Sequence, residues 1–405
     1  MKEFETYTLS NGMRAIHRQV RSGVAHCAVV VNAGSRDELR NEYGIAHFAE
    51  HGLFKGTTHR RAYQVNCRLE NLGGELNAYT TKEDTTLHAT VMRRDFSRAV
   101  ELLADVIFHS TFPDKELDKE REVIADEINS YKDSPSERIY DDFEDMIFRG
   151  SELGHNILGS KATIAKMDSR ALRAFVERTY TTDQMVFSSI GNFSVATARA
   201  IAERYLGGVA PTTRAFSRTA PTPYEHFNRH LSRHTHQAHG ILGTRGYSIR
   251  DERRLPLALM VNILGGPSAN SLLNIELREK YGLSYNVEAT YTPYSDCGIV
   301  GIYFSSDHDN ASRCVELIES AVEGLRREPL TPRRLAIAKR QFVAQMAISM
   351  ESNEGYMLGA GKSYLLYKDI DTLDEAYKKV MSITSEQIMA VAEESFGSLS
   401  QLIYR

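Results

Sequence analysis

The sequence predicts an α+β protein made of two homologous repeats, each an antiparallel sheet with helices packed on one face. Three observations indicate this class. Strand and helix signals occur in groups along the 405 residues, and hairpin signals replace the regular strand–helix–strand spacing of parallel sheets. A helix–loop–helix block of the first half resembles a block of the second half. The length suits two or three domains of roughly 150 residues each.

The N-terminal segment predicts a hairpin and then a buried strand. Tyr7 and Leu9 lead into residues 10–12, Ser-Asn-Gly, a turn sequence that favours positive φ, and residues 13–17 form the return strand. The run of small and β-branched residues over 25–32 predicts a further strand. The N-terminal residues are therefore predicted to form strands of the first sheet.

Helical segments follow. Helices are predicted over residues 41–51 and 62–72, and a strand over 76–81. Residues 95–109 have apolar side chains on one helical face. A longer helix begins at Pro113, since proline is favoured in the first turn of a helix.

The two halves are related by their sequence pattern. Residues 99–103, Ala-Val-Glu-Leu-Leu, resemble residues 314–318, Cys-Val-Glu-Leu-Ile, and a proline-initiated helix follows each block. Three of the ten prolines lie in the short polar stretch between the halves. We therefore expect a first repeat over 1–208, a linker over 209–224 and a second repeat over 225–405.

Composition excludes several classes of protein. Lys and Arg total 49 against 53 Asp and Glu, a net charge of -4, so a nucleic-acid partner is disfavoured. No apolar run approaches the roughly 20 residues of a membrane helix, and the N-terminus lacks the apolar core of a secretory signal. The four cysteines form no CxxC pair, which favours a reducing compartment. We expect a cytoplasmic protein, or one of the mitochondrial matrix if the chain is a mature form.

The segment that predicts chemistry is His47-Phe-Ala-Glu50-His51. Two histidines four apart lie on the same face of a helix, at a spacing that allows both imidazoles to bind one cation. A catalytic zinc site needs three protein ligands and an open position, so a further ligand must come from another segment.

The helix that begins at Pro113 offers that ligand. Glu120 and Glu127 are seven residues apart, which places both on one stripe of the helix. We expect Val123, Ile124 and Ile128 to pack away from this stripe.

These motifs resemble those of the pitrilysin and insulin-degrading-enzyme family, whose motif is the inverted zincin sequence His-x-x-Glu-His. The resemblance is closest to the short, two-repeat members related to mitochondrial processing peptidase. It includes residues 54–57 (Phe-Lys-Gly-Thr), 72–83 (Leu-Gly-Gly-Glu-Leu-Asn-Ala-Tyr-Thr-Thr-Lys-Glu), 120–128 and 277–285. The similarity therefore covers both halves.

The resemblance implies a role for each matching residue of the first half. His47, His51 and Glu127 would bind one zinc ion per chain. Glu50 would act as the general base on the activated water, because it cannot act as a ligand at the same time. Glu120 would orient the site.

The resemblance also implies a substrate-binding edge. Asn77 and the strand residues Ala78, Tyr79 and Thr80 would present an edge of the sheet to the substrate. A peptide would then bind by adding as a further strand.

The second repeat is expected to be non-catalytic. It contains no His-x-x-Glu-His, and Gln345 aligns with Glu127. By the resemblance, Arg278 and Tyr285 of this repeat would contact the scissile peptide or its oxyanion and complete a substrate chamber.

Gly52 departs from the family pattern, in which a larger apolar residue often follows the second histidine. A glycine inside a helix costs about 1 kcal/mol relative to alanine. The expectation is therefore a slightly loosened site that keeps its ligands.

The predicted function is a zinc endopeptidase that cleaves peptides or unfolded segments in an enclosed chamber. Because family members of full length carry four such units, the resemblance implies pairing, as a homodimer or as a heterodimer with a related subunit. Two other functions stay open. One is a non-enzymatic peptide-binding or partner subunit, and the other is a metal-dependent hydrolase of small molecules.

Overall fold

The computed structural model describes residues 3–405, which form two compact units. The first unit comprises the chain up to Ile128 together with His155–Thr219 and Ile348–Thr372. The second unit comprises Asn129–Gly154, Ala220–Ala347 and Leu373–Arg405. No helix within residues 3–405 is both long and apolar enough to span a bilayer.

A six-stranded sheet forms the centre of the first unit. Its strands are β1 (Glu5–Thr8), β2 (Arg14–Gln19), β3 (Val24–Val31), β4 (Glu75–Thr80), β5 (Thr85–Met92) and β6 (Met185–Gly191). Their order across the sheet is β1-β2-β6-β3-β5-β4. The predicted hairpin is confirmed, since β1 and β2 pair antiparallel with Thr6 opposite Ile16.

The prediction of a purely antiparallel sheet is wrong for one pair of strands. β2 and β6 run parallel, with Ile16 opposite Ser188, so the sheet is mixed. Parallel neighbours need a long crossover connection. The many residues between β2 and β6, including several helices, provide it.

Within residues 3–405, the first half of the chain contributes eight α-helices: α1 (Ile45–Leu53), α2 (Ala62–Glu70), α3 (Phe96–Phe108), α4 (Asp114–Lys132), α5 (Pro135–Ile147), α6 (Lys161–Ile164), α7 (Ser169–Thr179) and α8 (Val195–Tyr205). The second half contributes six α-helices: α9 (Arg254–Gly265), α10 (Ala311–Arg327), α11 (Pro332–Met350), α12 (Asn353–Tyr367), α13 (Leu373–Ser382) and α14 (Ser385–Ser395).

Helices cover both faces of the first sheet, which corrects the expectation of one covered face. Side chains alternate along β3 because successive residues of a strand point to opposite faces. Val29 and Val31 pack into the core that contains α1 and α3. Ala28 and Val30 pack against α12 on the opposite face. A strand covered on both faces is mostly apolar, and in β3 the one polar residue is His26.

The second unit is built on a five-stranded sheet. Its strands are β7 (Asn228–Leu231), β8 (Ala238–Gly246), β9 (Ser284–Pro293), β10 (Gly298–Ser306) and β11 (Ser400–Tyr404), in the order β7-β11-β8-β10-β9. Leu242 of β8 packs with α9, α10 and α14 on one face. Ile241, the preceding residue, packs with α5 on the other face. This sheet is also mixed, because β7 and β11 run parallel.

The two sheets have the same topology, and this confirms the predicted duplication. When β2, β6, β3, β5 and β4 are matched with β7, β11, β8, β10 and β9, every pair keeps its direction. The compact units are not contiguous in sequence, since α5 belongs to the second unit and α12 to the first. The boundaries at 1–208, 209–224 and 225–405 describe the repeats in the sequence and stay a prediction.

Candidate metal centre

The helix that carries the two histidines begins at Ile45, later than the predicted start near residue 41. Gly44 precedes the helix with φ of 100°, a conformation that favours glycine. The Glu38 carboxylate accepts hydrogen bonds from the backbone N–H groups of Gly44 (2.9 Å) and Ala46 (2.8 Å). A carboxylate that binds the first N–H groups of a helix fixes the position of its N-terminus. The helix that carries His47 and His51 therefore has a fixed N-terminus.

His47, His51 and Glu127 converge. One nitrogen of each histidine and one carboxylate oxygen of Glu127 all lie within 4.8 Å of one another. Within residues 3–405, no other group of three or more His, Cys, Asp or Glu side chains converges in this way. Oε2 of Glu127 lies 3.7 Å from Nε2 of His47 and 3.9 Å from Nε2 of His51. His47 is buried, whereas the Glu127 side chain is 45% exposed. The cluster therefore opens to solvent on the Glu127 side.

The donor set is one that zinc prefers. Two imidazole nitrogens and one carboxylate oxygen are a common set of protein ligands in catalytic zinc sites. The other ring nitrogen of His51, Nδ1, lies 2.8 Å from Oε1 of Glu120. A hydrogen bond from Nδ1–H to this carboxylate leaves the Nε2 lone pair directed at the cluster. The three residues therefore fit a zinc ion.

Lys55 completes this arrangement. Its Nζ lies 2.6 Å from Oε2 of Glu120, so each oxygen of that carboxylate is held by a different residue. Burial acts to raise the pKa of Glu120, but the hydrogen bonds from His51 and Lys55 hold it below its usual value. The lowered pKa favours the ionised form of Glu120, in which both oxygens accept hydrogen bonds.

The protonation of the two histidines differs. Burial, together with the nearby His51, lowers the pKa of His47 to about 3, so its imidazole is neutral and able to bind a cation. Burial also acts to lower the pKa of His51, but the hydrogen bond to Glu120 and the charge of Glu50 raise it above the usual value. A metal ion must therefore displace a proton from His51 at acidic pH.

Glu50 directly precedes His51 in α1 and is not one of the three residues of the cluster. Burial raises the pKa of this carboxyl group. Its Oε2 accepts a hydrogen bond of 2.7 Å from the Thr80 hydroxyl. Thr80 is the last residue of β4, so the strand and the carboxylate are directly linked.

The strand that carries Asn77, Ala78 and Tyr79 lies at an edge of the first sheet, as predicted. Asn77 is opposite His88 in the register with β5, so the two side chains share a face. This is the face of α12, since Nδ1 of His88 lies 3.0 Å from Glu354 of that helix. Ala78 points to the opposite face, towards the core that contains α1. Whether these residues bind a substrate stays a prediction.

Arg278 and Tyr285 belong to the second unit. Arg278 lies on a short π-helix, Asn274–Lys280, and Tyr285 lies on the edge strand β9. The Arg278 guanidinium carbon lies 5.1 Å from the centre of the Tyr285 ring, within the range of a cation–π contact. Tyr285 is 81% exposed. The structure thus places the two side chains together, and their role towards the scissile peptide stays a prediction.

Gly52, which was expected to loosen the site slightly, lies at a closely packed position of α1. A Cβ atom at Gly52 would lie 2.7 Å from Cδ1 of Phe112 and 3.3 Å from Cδ2 of Leu172. The Phe112 ring thus fills the space beside the helix. Phe112 adopts φ of 49°, a conformation that is rare for a bulky residue and costs on the order of 1 kcal/mol or more. The helix is tightly packed at this position.

Val123 also differs from its prediction. Ile124 and Ile128 are buried as expected, but Val123 is 51% exposed. Val123 lies three residues after Glu120 and four before Glu127, so it shares their stripe of the helix. An exposed valine thus adjoins Glu127, a member of the candidate metal cluster.

The contacts that three residues make at the site were not predicted from the sequence. Lys55 lies in the motif over residues 54–57, but nothing in its spacing relates it to Glu120. Thr80 was expected at the substrate edge only, and its contact with Glu50 depends on how α1 packs beside β4. Glu38 lies in a polar loop that gives no helix-capping signal at the predicted start.

Comparison with known proteins gives the family. The model of the insulinase family, peptidase family M16, matches residues 15–161, and the model described as the peptidase M16 inactive domain matches residues 166–342. An uncharacterized zinc protease of Bacillus subtilis, YmxG, is 33% identical over 395 residues, 96% of this chain and 95% of the relative. The chain belongs to peptidase family M16. A second relative of this M16 protein, an uncharacterized zinc protease of Streptomyces coelicolor, is 29% identical over 96% of this chain and 86% of the relative.

Solved structures share the fold of the M16 chain. A crystal structure of a peptidase M16 inactive domain from Pseudomonas fluorescens has a TM-score of 0.92 at 20% identity, covering 100% of this chain and 98% of that one. A protease from Helicobacter pylori has the same TM-score and identity and is covered completely. The fold is therefore that of M16 proteins over the whole length of the chain.

Proposed function

We propose that this M16 protein is a zinc endopeptidase that hydrolyses peptides or unfolded segments. The observation that carries the proposal is the convergence of His47, His51 and Glu127 beside Glu50, a buried carboxylate outside the ligand group. The names of the relatives, which are zinc proteases, support it.

Each residue has one task. His47, His51 and Glu127 would hold one zinc ion, and Glu120 with Lys55 would keep the His51 ring in its binding orientation. Zinc, when bound, supplies Lewis acidity towards a peptide carbonyl and lowers the pKa of a water molecule to about 7.

Glu50 moves the proton. It takes a proton from water as the oxygen attacks the peptide carbonyl, and then gives it to the amine that leaves when the C–N bond breaks. Burial raises the pKa of Glu50. A base whose pKa lies closer to neutral pH is more efficient in both directions of this transfer.

Peptide binding is proposed at β4. An edge strand has unpaired backbone N–H and C=O groups, and an extended peptide can pair with them. This mode recognises backbone before side chains, so it suits flexible and unfolded substrates. Arg278 and Tyr285 are proposed to stabilise the oxyanion, and one such donor is worth roughly 3 kcal/mol in the transition state.

A homodimer, or a heterodimer with a related subunit, is proposed as the assembly that encloses the substrate. The support is the resemblance to family members of full length, which carry four units where this chain carries two. Light scattering during size-exclusion chromatography tests it. A mass of one chain at all concentrations would contradict the proposed dimer.

The test of the function uses the full chain loaded with zinc and a mixture of peptides whose cleavage is mapped by mass spectrometry. We expect internal cuts that a chelator abolishes and added zinc restores. Glu50→Gln should keep the zinc and lose on the order of 100-fold or more in kcat. Peptide binding without cleavage by the zinc-loaded chain would favour a partner subunit, and cleavage of small esters alone would favour a small-molecule hydrolase.

A further inference from the structure

We infer that Thr80 is a positioning residue, which transmits the pairing of a peptide along β4 to the orientation of the Glu50 carboxylate. This inference rests on the proposed function and adds a residue to it. It assigns the hydroxyl at the end of the substrate edge a role in proton transfer, although this hydroxyl touches no reacting atom.

The first support is the hydrogen bond itself. The Thr80 hydroxyl lies 2.7 Å from Oε2 of Glu50. Within residues 3–405, no side chain other than Thr80 donates a hydrogen bond to the Glu50 carboxylate. Glu50 is only 9% exposed, so water cannot replace a lost donor freely. With Oε2 engaged, Oε1 is the oxygen left to accept a proton.

The second support is the direction of that hydrogen bond. A second hydroxyl within 3.5 Å of the Thr80 hydroxyl is that of Thr85. Thr85 donates to the backbone carbonyl of Ala33 at 2.8 Å. Because a carboxylate oxygen accepts and the contact with Glu50 is shorter than the contact with Thr85, the Thr80 hydrogen is directed to the carboxylate.

The third support is the place of Thr80 in the sheet. Its backbone pairs with Thr85 at the end of β4, and the turn is closed by a hydrogen bond from Thr81 N–H to Asp84 C=O of 2.8 Å. One side of the Thr80 backbone is therefore fixed by β5. The other side of β4 is the free edge, where an added peptide would fix it in turn.

These contacts link binding to chemistry. A peptide that pairs along β4 orders the strand, the ordered strand holds the Thr80 hydroxyl, and the hydroxyl holds Glu50 in the orientation that accepts a proton. Binding energy from parts of the substrate away from the scissile bond then increases kcat. A residue with this role should affect turnover more than substrate affinity.

The experiment compares Thr80→Val with Thr80→Ser in the zinc-loaded full chain, using a fluorogenic peptide that the wild type cleaves. Valine keeps the branched shape and removes the hydroxyl, whereas serine keeps the hydroxyl. We expect kcat to fall about tenfold or more in Thr80→Val, a part of the 10²–10⁴ that a general base contributes. KM and zinc affinity should change less than about twofold, and Thr80→Ser should restore kcat to within about threefold of the wild type.

Thr86→Val is the matched control. Thr86 lies on the neighbouring strand, is buried, and has a hydroxyl without a hydrogen-bond partner in the described part of the chain. The same chemical change there should leave kcat unaltered. A double variant gives a further check, since Thr80→Val should have little added effect when Glu50 is already Gln.

Several results would overturn the inference. Equal kcat in the wild type and Thr80→Val would do so, and so would a loss of zinc affinity that matches the loss of activity, because Thr80 would then be structural. Thr80→Ala gives the same comparison if the valine variant does not fold. A wild type that is fully loaded with zinc and cleaves no peptide would instead contradict the proposed function.

Discussion

The first and second units share a topology but differ in the side chains that connect two of their helices. In the first unit, His47 and His51 of α1 face Glu127 of α4. In the second unit, α9 takes the place of α1 and α11 the place of α4. There Asn262 donates a hydrogen bond of 2.8 Å to Gln345, the residue that aligns with Glu127.

A few side-chain differences between corresponding helices are thus enough to replace a candidate metal site by a structural hydrogen bond. The Gln345 amide also donates to the Ser268 hydroxyl at 3.0 Å, so the polar groups satisfy one another and leave no convergent anionic or imidazole ligands. The helix pair and the sheet beside it are retained in both units. Function in this fold therefore depends on a few side chains and not on the topology.

The largest expected effect comes from removing a ligand. His47→Ala should reduce bound zinc from one per chain to near zero after dialysis and abolish peptide hydrolysis, since two ligands do not make a stable zinc site. Asn262→Ala, the control in the second unit, should keep one zinc per chain. Elemental analysis by mass spectrometry measures both. Equal zinc content in the two variants would contradict the assignment of the site to the first unit.

A smaller effect is expected from the residues that orient His51. Glu120→Gln and Lys55→Met should each weaken zinc binding about 10–100-fold, because the ring of His51 is then less firmly oriented. Competition with a chelator of known affinity measures this. Lys119→Met is a suitable control, because that exposed lysine pairs with Glu116 and not with Glu120. Unchanged affinity in both test variants would remove Lys55 and Glu120 from the site.

The packing of α1 can be tested at Gly52. Gly52→Leu should destabilise the fold by about 1–3 kcal/mol, because the new side chain overlaps Phe112. Gly324→Ala in α10 of the second unit is the control, since a Cβ there meets no atom within 4 Å. That variant should stabilise by roughly 0.5–1 kcal/mol. Denaturant unfolding gives both values, and a neutral Gly52→Leu would contradict the packing described for α1.

The acid stability of the first unit can be tested at Asp105. Burial acts to raise the pKa of Asp105, but hydrogen bonds from His59, Arg60 and Thr57 hold it below its usual value of 3.8. A depressed pKa contributes stability that is present above the usual value and is lost as the pH falls through the folded value. Ser320 occupies the corresponding position of α10 when residues 99–103 are aligned with 314–318.

Asp105→Asn should therefore lower the free energy of unfolding by about 1–3 kcal/mol at neutral pH, and by less below pH 3.8. Urea unfolding at several pH values measures the difference. Ser320→Ala should give a difference from the wild type that does not depend on pH. A constant difference for Asp105→Asn as well would show that the carboxylate does not carry this stability.

Local patterns predicted much of the candidate site. The spacing of His47 and His51 is a property of one helix, and the interval from Glu120 to Glu127 is a property of another, so each pair could be identified without tertiary structure. That β4 lies at an edge came from the family resemblance. The duplication was visible because the repeated blocks keep their order along the chain.

Long-range packing was not predictable in the same way. The parallel pairing of β2 with β6 depends on strands far apart in the sequence. The coverage of β3 by α12 depends on a helix of the other half, although the apolar character of Ala28 and Val30 is consistent with it. The space at Gly52 is filled by Phe112, which no spacing rule connects with α1.

Anomalous diffraction at the zinc absorption edge, from crystals grown with zinc, tests the central claim most directly. We predict one peak per chain, at roughly 2.0–2.2 Å from Nε2 of His47, Nε2 of His51 and a carboxylate oxygen of Glu127, with none beside Gln345. A zinc-loaded chain with its peak elsewhere, or with no peak between these three residues, would contradict the account.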